Sequence, residues 1–167
     1  MNRRIVILGF MACGKTTVGA ELARQLNCGF VDLDSFIAER EGRQPAEIIE
    51  HDGETTFREI ETLALSDVLA NQNSQVVALG GGTWTIPANR TVIALHQCLT
   101  VWLDAPFELC WKRINAAESA RPLAPDFETA TRRFDERREY YALAQLRIAV
   151  NADDSVTQVV EQIFRET

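Results

Sequence analysis

Ile5-Val6-Ile7-Leu8-Gly9-Phe10-Met11-Ala12-Cys13-Gly14-Lys15-Thr16-Thr17 runs an unbroken apolar stretch directly into the pattern G-x-x-x-x-G-K-[ST]. The apolar residues have the character of a strand buried on both faces. Val18, Leu22 and Leu26 follow at helical spacing, so the loop lies between a strand and a helix N-terminus, the context in which this pattern holds phosphates. Glycine permits backbone conformations that turn successive N–H groups inward to form an anion-sized nest. The helix adds its unpaired N–H groups and the positive end of its dipole. Ala12, Cys13, Gly14, Lys15, Thr16 and Thr17 are therefore expected to hold the phosphates of a nucleoside triphosphate. In that arrangement Lys15 reaches the β- and γ-phosphates and the Thr16 hydroxyl sits on Mg²⁺. Cys13, close to a helix N-terminus, has the setting of a reactive thiol, although a small residue filling the loop is the favoured reading.

At 167 residues the chain can bury a core without metal or disulfide support, and a single domain spanning 1–167 is expected. The net charge of −7 argues against a general nucleic-acid binder, because phosphate backbones demand a basic surface. Its positive charge is unusual in kind: Lys15 and Lys112 are the only lysines, beside 15 arginines, six of them between Arg113 and Arg138. That run reads either as a solvated helical face or as a set of forked partners for carboxylate and phosphate. Cys13, Cys28, Cys98 and Cys110 show no C-x-x-C spacing, and His51 and His96 stand apart. Reduced thiols, no His/Cys metal cluster and a cytoplasmic location are expected. No stretch approaches membrane-spanning length, and no leader is expected ahead of the first strand. A monomer is expected.

Short apolar runs at Arg4–Leu8, Phe30–Leu33, Val76–Leu79, Thr100–Leu103 and Arg147–Val150 alternate with helical patterns. This alternation predicts an α/β fold with a mainly parallel sheet. Helices are expected after the phosphate loop and at Glu54–Ala70, Pro106–Ile114, Glu128–Ala142 and Ser155–Phe164. Pro45 is suited to the first turn of a short helix at Ala46–Glu50. The proline-bearing segment Glu118–Phe127 reads as a surface loop and a candidate mobile lid, around residues 116–128.

Three further stretches carry chemistry. Asp32 and Asp34 alternate at the carboxyl end of the second expected strand, which puts both on one face, where open α/β sheets bind ligands. One carboxylate can help position Mg²⁺ and its waters while the other faces an incoming hydroxyl. Arg58 and Glu61, three apart on a helix, can meet so that Glu61 orients the guanidinium; an exposed ion pair is the alternative. Gly80-Gly81-Gly82 leaves a buried strand and lets backbone approach a ligand without obstruction. Arg121-Pro122-Leu123 opens the lid, where an arginine can close over a transferred phosphoryl and exclude water. Arg132 and Arg133 are expected to face solvent.

Taken together, the phosphate loop, Asp32-Leu33-Asp34, Asp52-Gly53-Glu54 with Phe57-Arg58 and Glu61, the triple glycine and Arg121-Pro122-Leu123 resemble the shikimate kinases over nearly the whole chain. The resemblance implies five parallel strands in order 2-3-1-4-5, flanked by helices, and transfer of the γ-phosphoryl of ATP to the 3-hydroxyl of shikimate, a step toward chorismate and the aromatic amino acids. It puts Asp34 on the reacting hydroxyl, Arg58 on the shikimate carboxylate, Phe57 on the apolar side of the ring, and Gly80, Gly81 and Gly82 along it. It places Arg121 on phosphate, Arg113 against adenine, Thr16 on one Mg²⁺ and Asp32 near that ion through water. Arg137, four residues before Tyr141, fits the family's second substrate arginine. Ala144 aligns instead with Tyr140, which would put Glu136 there; a one-residue shift resolves this in favour of Arg137, and Arg138 stands as the alternative. Around Asn151-Ala152-Asp153-Asp154 the chain offers acids where a basic nucleotide contact is often found, and Trp84 is bulky for its place after the glycines. Two other readings stand beside this one: a related kinase for another hydroxy acid such as gluconate, and a nucleotide-binding regulatory module without transfer chemistry.

Overall fold

The structure, a computed structural model, describes residues 3–71, 74–116 and 125–166. Five strands, β1 (Ile5–Leu8), β2 (Gly29–Asp32), β3 (Ser74–Ala78), β4 (Leu99–Asp104) and β5 (Leu146–Ala149), form one sheet in the order β2-β3-β1-β4-β5. Every pairing is parallel. Parallel neighbours require crossovers, which are supplied by α1 (Lys15–Leu26), α2 (Leu33–Glu41), α3 (Pro45–Ala70), α4 (Pro87–Leu95), α5 (Phe107–Ala116) and α6 (Phe127–Tyr141), with α7 (Val156–Glu166) after the last strand. β1 is the middle strand, and its four residues are buried because helices cover both faces of the sheet. Among the described residues no helix is long and apolar enough to cross a membrane.

All five expected strands are present. One boundary differs with consequence: Leu33 opens α2 instead of ending β2. The Asp32 carboxylate accepts a hydrogen bond from the Ser35 backbone N–H at 3.1 Å and so caps the new helix. Asp34 therefore lies in the first turn of α2, and the expectation that the two acids share one face of a strand is corrected. The expected pieces at Ala46–Glu50 and Glu54–Ala70 are the two halves of α3, broken at Gly53 with φ 90°. Neither α2 nor α4 was expected, nor the 3-10 turn Thr83–Thr85. α2 buries only Leu33 and Ile37, and two apolar residues one turn apart give little periodic signal.

The chain leaves β1 toward β2 on one side of the sheet and leaves its neighbour β4 toward β5 on the other. Ligands in open parallel sheets bind at such a point, outside the carboxyl ends of the strands. Gly9 stands there with φ 143°, and a Cβ on it would lie 2.7 Å from the Leu103 carbonyl oxygen and 2.9 Å from Cys13 Sγ. The first glycine of the loop is thus required by packing against β4 as well as by phosphate. Gly9→Ala is expected to cost about 1–3 kcal/mol, the usual range for overpacking, read from urea unfolding. An unchanged midpoint would show that the β4 backbone gives way freely.

Candidate active site

The phosphate loop is held by its own backbone. Ala12 takes a left-handed conformation (φ 60°) and Gly14 follows at φ 107°. Gly14 caps α1 without a side-chain hydrogen bond, which leaves the first-turn N–H groups aimed into the loop. The Lys15 ammonium donates to the Gly9 and Phe10 carbonyls at 3.1 and 2.8 Å, so it spans the loop mouth. Arg113, from α5, donates to the Ala12 carbonyl at 3.2 Å and braces the loop from the opposite side. Cys13 is 1% exposed, which fits a packing residue. These groups open onto a cavity of about 460 Å³ whose far wall is apolar, with Val150, Val156 and Val159. Asp154 also lines it, but its carboxylate is engaged by the Asn151 backbone N–H and side-chain amide at 2.7 and 3.0 Å.

The Thr16 hydroxyl donates to Asp32 at 2.5 Å, which sets an alcohol oxygen and a carboxylate side by side at the start of α1. Among the described residues no cluster of three or more His, Cys, Asp or Glu could enclose a metal. That donor set suits Mg²⁺, which takes one or two protein oxygens, keeps several waters and relies on phosphate for the rest.

Asp34 faces the same cavity from the first turn of α2. The residue is exposed to the cavity, yet protein crowds its carboxylate elsewhere. This loss of solvation comes first, followed by the negative charges of Glu61 and Asp32, and together they push its carboxyl up to about 6 against the pull of Lys15 and Arg58. The approach of β3 to this point depends on glycine. A Cβ on Gly80 would lie 2.6 Å from Glu61 Oε1 and 3.0 Å from both Asp34 Oδ1 and Thr83 Oγ1. One on Gly81 would lie 3.4 Å from both the Met11 N–H nitrogen and Arg137 Nη1. The triple glycine is thus a thin wall with the phosphate loop on one side and arginines on the other.

On that other side, a second cavity of about 570 Å³ is lined by Glu54, Arg58, Arg133, Arg137 and Tyr140, together with the exposed acids Asp135, Glu136 and Glu139. Phe57 is buried and lies beneath the Arg58 guanidinium at 5.3 Å. Arg58 pairs with Glu61 at 2.7 Å and Glu54 at 3.2 Å, its side chain 18% exposed and that of Glu61 fully buried. The exposed ion pair entertained from the sequence is therefore not what forms. Gly82 packs so closely on this guanidinium that a side chain there would have to displace Arg58. Arg137 is 7% exposed and has no carboxylate within 4.0 Å among the described residues. Burial is the main cause that lowers its affinity for the proton, with Arg58 and Arg133 acting in the same direction and Tyr141 opposing them.

Arg138, the alternative left open by the sequence, turns outward to Asp104 at 3.3 Å and is half exposed. Arg133 corrects an expectation: it turns inward to Glu54 at 3.2 Å, whereas Arg132 is exposed as expected. Sequence gave no sign of this, because Glu54 is 79 residues away. Trp84 lines neither cavity; its indole N–H donates to the Tyr140 carbonyl at 2.8 Å behind the glycine wall. Thr83, whose hydroxyl donates to Glu61 at 2.6 Å, was also missed. Arg121, Pro122 and Leu123, with most of the expected lid, lie outside the described residues.

Comparison with known proteins agrees with this geometry. The family model described as shikimate kinase matches residues 11–167. A shikimate kinase from Synechococcus sp. (strain JA-3-3Ab) is 40% identical over 164 residues, covering 96% of this chain and 85% of its own. The crystal structure of shikimate kinase from Bacteroides thetaiotaomicron superposes with a TM-score of 0.88 at 28% identity, covering 98% of this chain and 97% of its own. That of the Acinetobacter baumannii enzyme in complex with shikimate gives 0.87 at 28% identity, covering 98% and 92%. A phosphate loop, a carboxylate beside it and a neighbouring cavity that arginines line are thus joined by similarity along nearly the full length, and the chain belongs to the shikimate kinase family.

Proposed function

We propose that this protein transfers the γ-phosphoryl of ATP to the 3-hydroxyl of shikimate, giving shikimate 3-phosphate and ADP. The observation that carries the reading is the glycine wall, with a triphosphate-type loop on one face and the guanidiniums of Arg58 and Arg137 on the other. A small acid bearing hydroxyls fits between them. Its carboxylate would meet Arg58 and Arg137, which can present forked donors. Its ring would lie on Phe57 and along Gly80, Gly81 and Gly82, with a hydroxyl at Asp34.

Each residue then has a physical task. Ala12, Cys13, Gly14, Thr16 and Thr17 offer backbone N–H groups to the phosphates, and Lys15 exchanges its carbonyl partners for phosphate oxygens. Thr16 would hold Mg²⁺ directly and Asp32 through water; when bound, this ion neutralises charge on the phosphate oxygens. Arg113 borders the nucleotide cavity next to the loop, in a place suited to the base. Asp34 accepts the hydroxyl proton as that oxygen forms its bond to the γ-phosphorus. The bond from phosphorus to the bridging oxygen breaks, and ADP leaves with the electron pair. The family resemblance assigns to Arg121 the closing contact on the transferred phosphoryl. The bulk of Trp84 does not restrict the acceptor, because its side chain lines neither cavity.

The direct test is turnover with ATP, Mg²⁺ and a panel of hydroxy acids containing shikimate and gluconate. Shikimate is expected to be the substrate used, and equal or greater turnover of gluconate would overturn the reading.

Arg58→Ala is expected to raise the KM for shikimate by about 30-fold or more, from the roughly 2–5 kcal/mol lost with a buried charged partner. The KM for ATP should scarcely change. Arg137→Ala should behave alike and Arg138→Ala should not, so steady-state kinetics on the three variants separate acceptor contacts from the Asp104 pair.

Asp34→Asn is nearly isosteric and should still bind both substrates while losing about 10²–10⁴-fold in kcat, the usual contribution of a positioned base. Because phosphoryl transfer depends heavily on positioning and charge stabilisation, a loss at the low end of this range fits. Unchanged kcat with collapsed shikimate binding, measured by calorimetry, would make Asp34 a recognition residue instead.

A further inference from the structure

We propose that Thr83 is a positioning residue for the acceptor site, acting on Arg58 through Glu61. The inference rests on the reading of Arg58 as an acceptor-carboxylate partner. Glu61 is completely buried, and its two oxygens have different partners: Oε2 accepts from Arg58 Nη1 at 2.7 Å and Oε1 from the Thr83 hydroxyl at 2.6 Å. The final torsion of a glutamate is broad and roughly two-fold. One ion pair alone therefore leaves the carboxylate plane free to turn, and the guanidinium's other partner, Glu54, is longer at 3.2 Å and 40% exposed, so it is the weaker restraint. A donor on the opposite oxygen fixes that plane.

Thr83 can serve as a fixed donor because it is itself held on several sides. It is completely buried, and its χ1 is stiff because the side chain is β-branched. Its backbone N–H donates to the Gly80 carbonyl at 3.2 Å. Its own carbonyl accepts from the Asn89 side-chain amide at 3.0 Å, and Asn89 is fully buried as well. A continuous buried chain thus runs from α4 through the 3-10 turn to α3, ending at the guanidinium that lines the acceptor cavity. Gly80 makes the junction possible, since a side chain there would collide with both Glu61 and Thr83. A structural role alone would not require the threonine hydroxyl to point at the one buried acid that pairs with Arg58.

Thr83→Val removes the donor with almost no change of shape. It is expected to raise the KM for shikimate on the order of tenfold, near the low end of what a lost hydrogen bond to a charged group costs. The change in kcat should stay within about twofold and the KM for ATP should hold, the pattern of lost uniform binding. Thr83→Ser is expected to restore the shikimate KM. ADP binding, followed by calorimetry, verifies that each variant is folded. An unchanged shikimate KM in folded Thr83→Val overturns the proposal, as does a parallel rise in both KM values. Failure of serine to restore would assign the effect to the methyl group and would overturn it too. Wild-type protein assayed alongside separates the two levels: no turnover of shikimate by wild type removes the acceptor reading itself, whereas an active wild type with an indifferent variant removes only the role of Thr83.

Discussion

The register of β1 against β3 is the constraint from which the site follows. Ile7 pairs with Ala78, and the Leu79 N–H donates to the Ile7 carbonyl at 2.9 Å, so the two strands end side by side. Whatever leaves one strand must pass whatever leaves the other. Glycine at 9 and at 80–82 lets the exits touch: a Cβ on Gly81 would lie 3.4 Å from the Met11 nitrogen and 3.9 Å from the Gly9 carbonyl oxygen. A donor phosphate and an acceptor hydroxyl held by adjacent exits would be brought close together by the strand pairing itself. Positioning supplies much of the catalysis in phosphoryl transfer, and here the positioning is a property of strand pairing.

Closeness also concentrates charge. Glu61 and Asp32 both raise the proton affinity of Asp34, while Lys15 and Arg58 lower it. In a protein of net charge −7, Lys15 and Arg58 thus offset a point where the acids crowd together. Glu61 shows what this requires. A completely buried carboxylate with one partner removed would cost about 3–5 kcal/mol, and two donors hold it here. Arg58 consequently reaches the acceptor cavity with its orientation already set. Arg137 reaches it with no acidic neighbour in range among the described residues, so its charge is directed at the cavity. One arginine supplies a fixed geometry and the other an unspent charge, a combination suited to a single carboxylate.

Much of this was legible in the sequence, for reasons that differ by element. The strands could be read because each carries a short apolar run, fully buried in the central β1 and only partly so in the edge strands β2 and β5, and the phosphate loop because its pattern follows such a run. The triple glycine signalled close approach, although its partners, Glu61 and Arg137, could not be read from it. The reading of Asp32 and Asp34 failed locally, since strand alternation cannot foresee that the first acid caps a helix which begins at the next residue. The pairing of Arg133 with Glu54 is a contact between α6 and the start of the second half of α3, and no local pattern encodes it.

The choice between Arg137 and Arg138 was in principle decidable from periodicity. On α6 the buried residues are Ala130, Phe134, Arg137 and Tyr141, spaced by four, three and four. That spacing is the apolar stripe of a helix packed on a core. Arg137 lies on the stripe, and Arg138, about 100° further round the helix, does not. An arginine is among the side chains least suited to such a position unless something offsets its charge. The aromatic and small residues that flank it along the stripe offer no carboxylate. A cation placed by periodicity on a buried face, without an acid on the same face, is therefore itself a sequence signal for a ligand anion, and it favours Arg137 where motif spacing left two candidates.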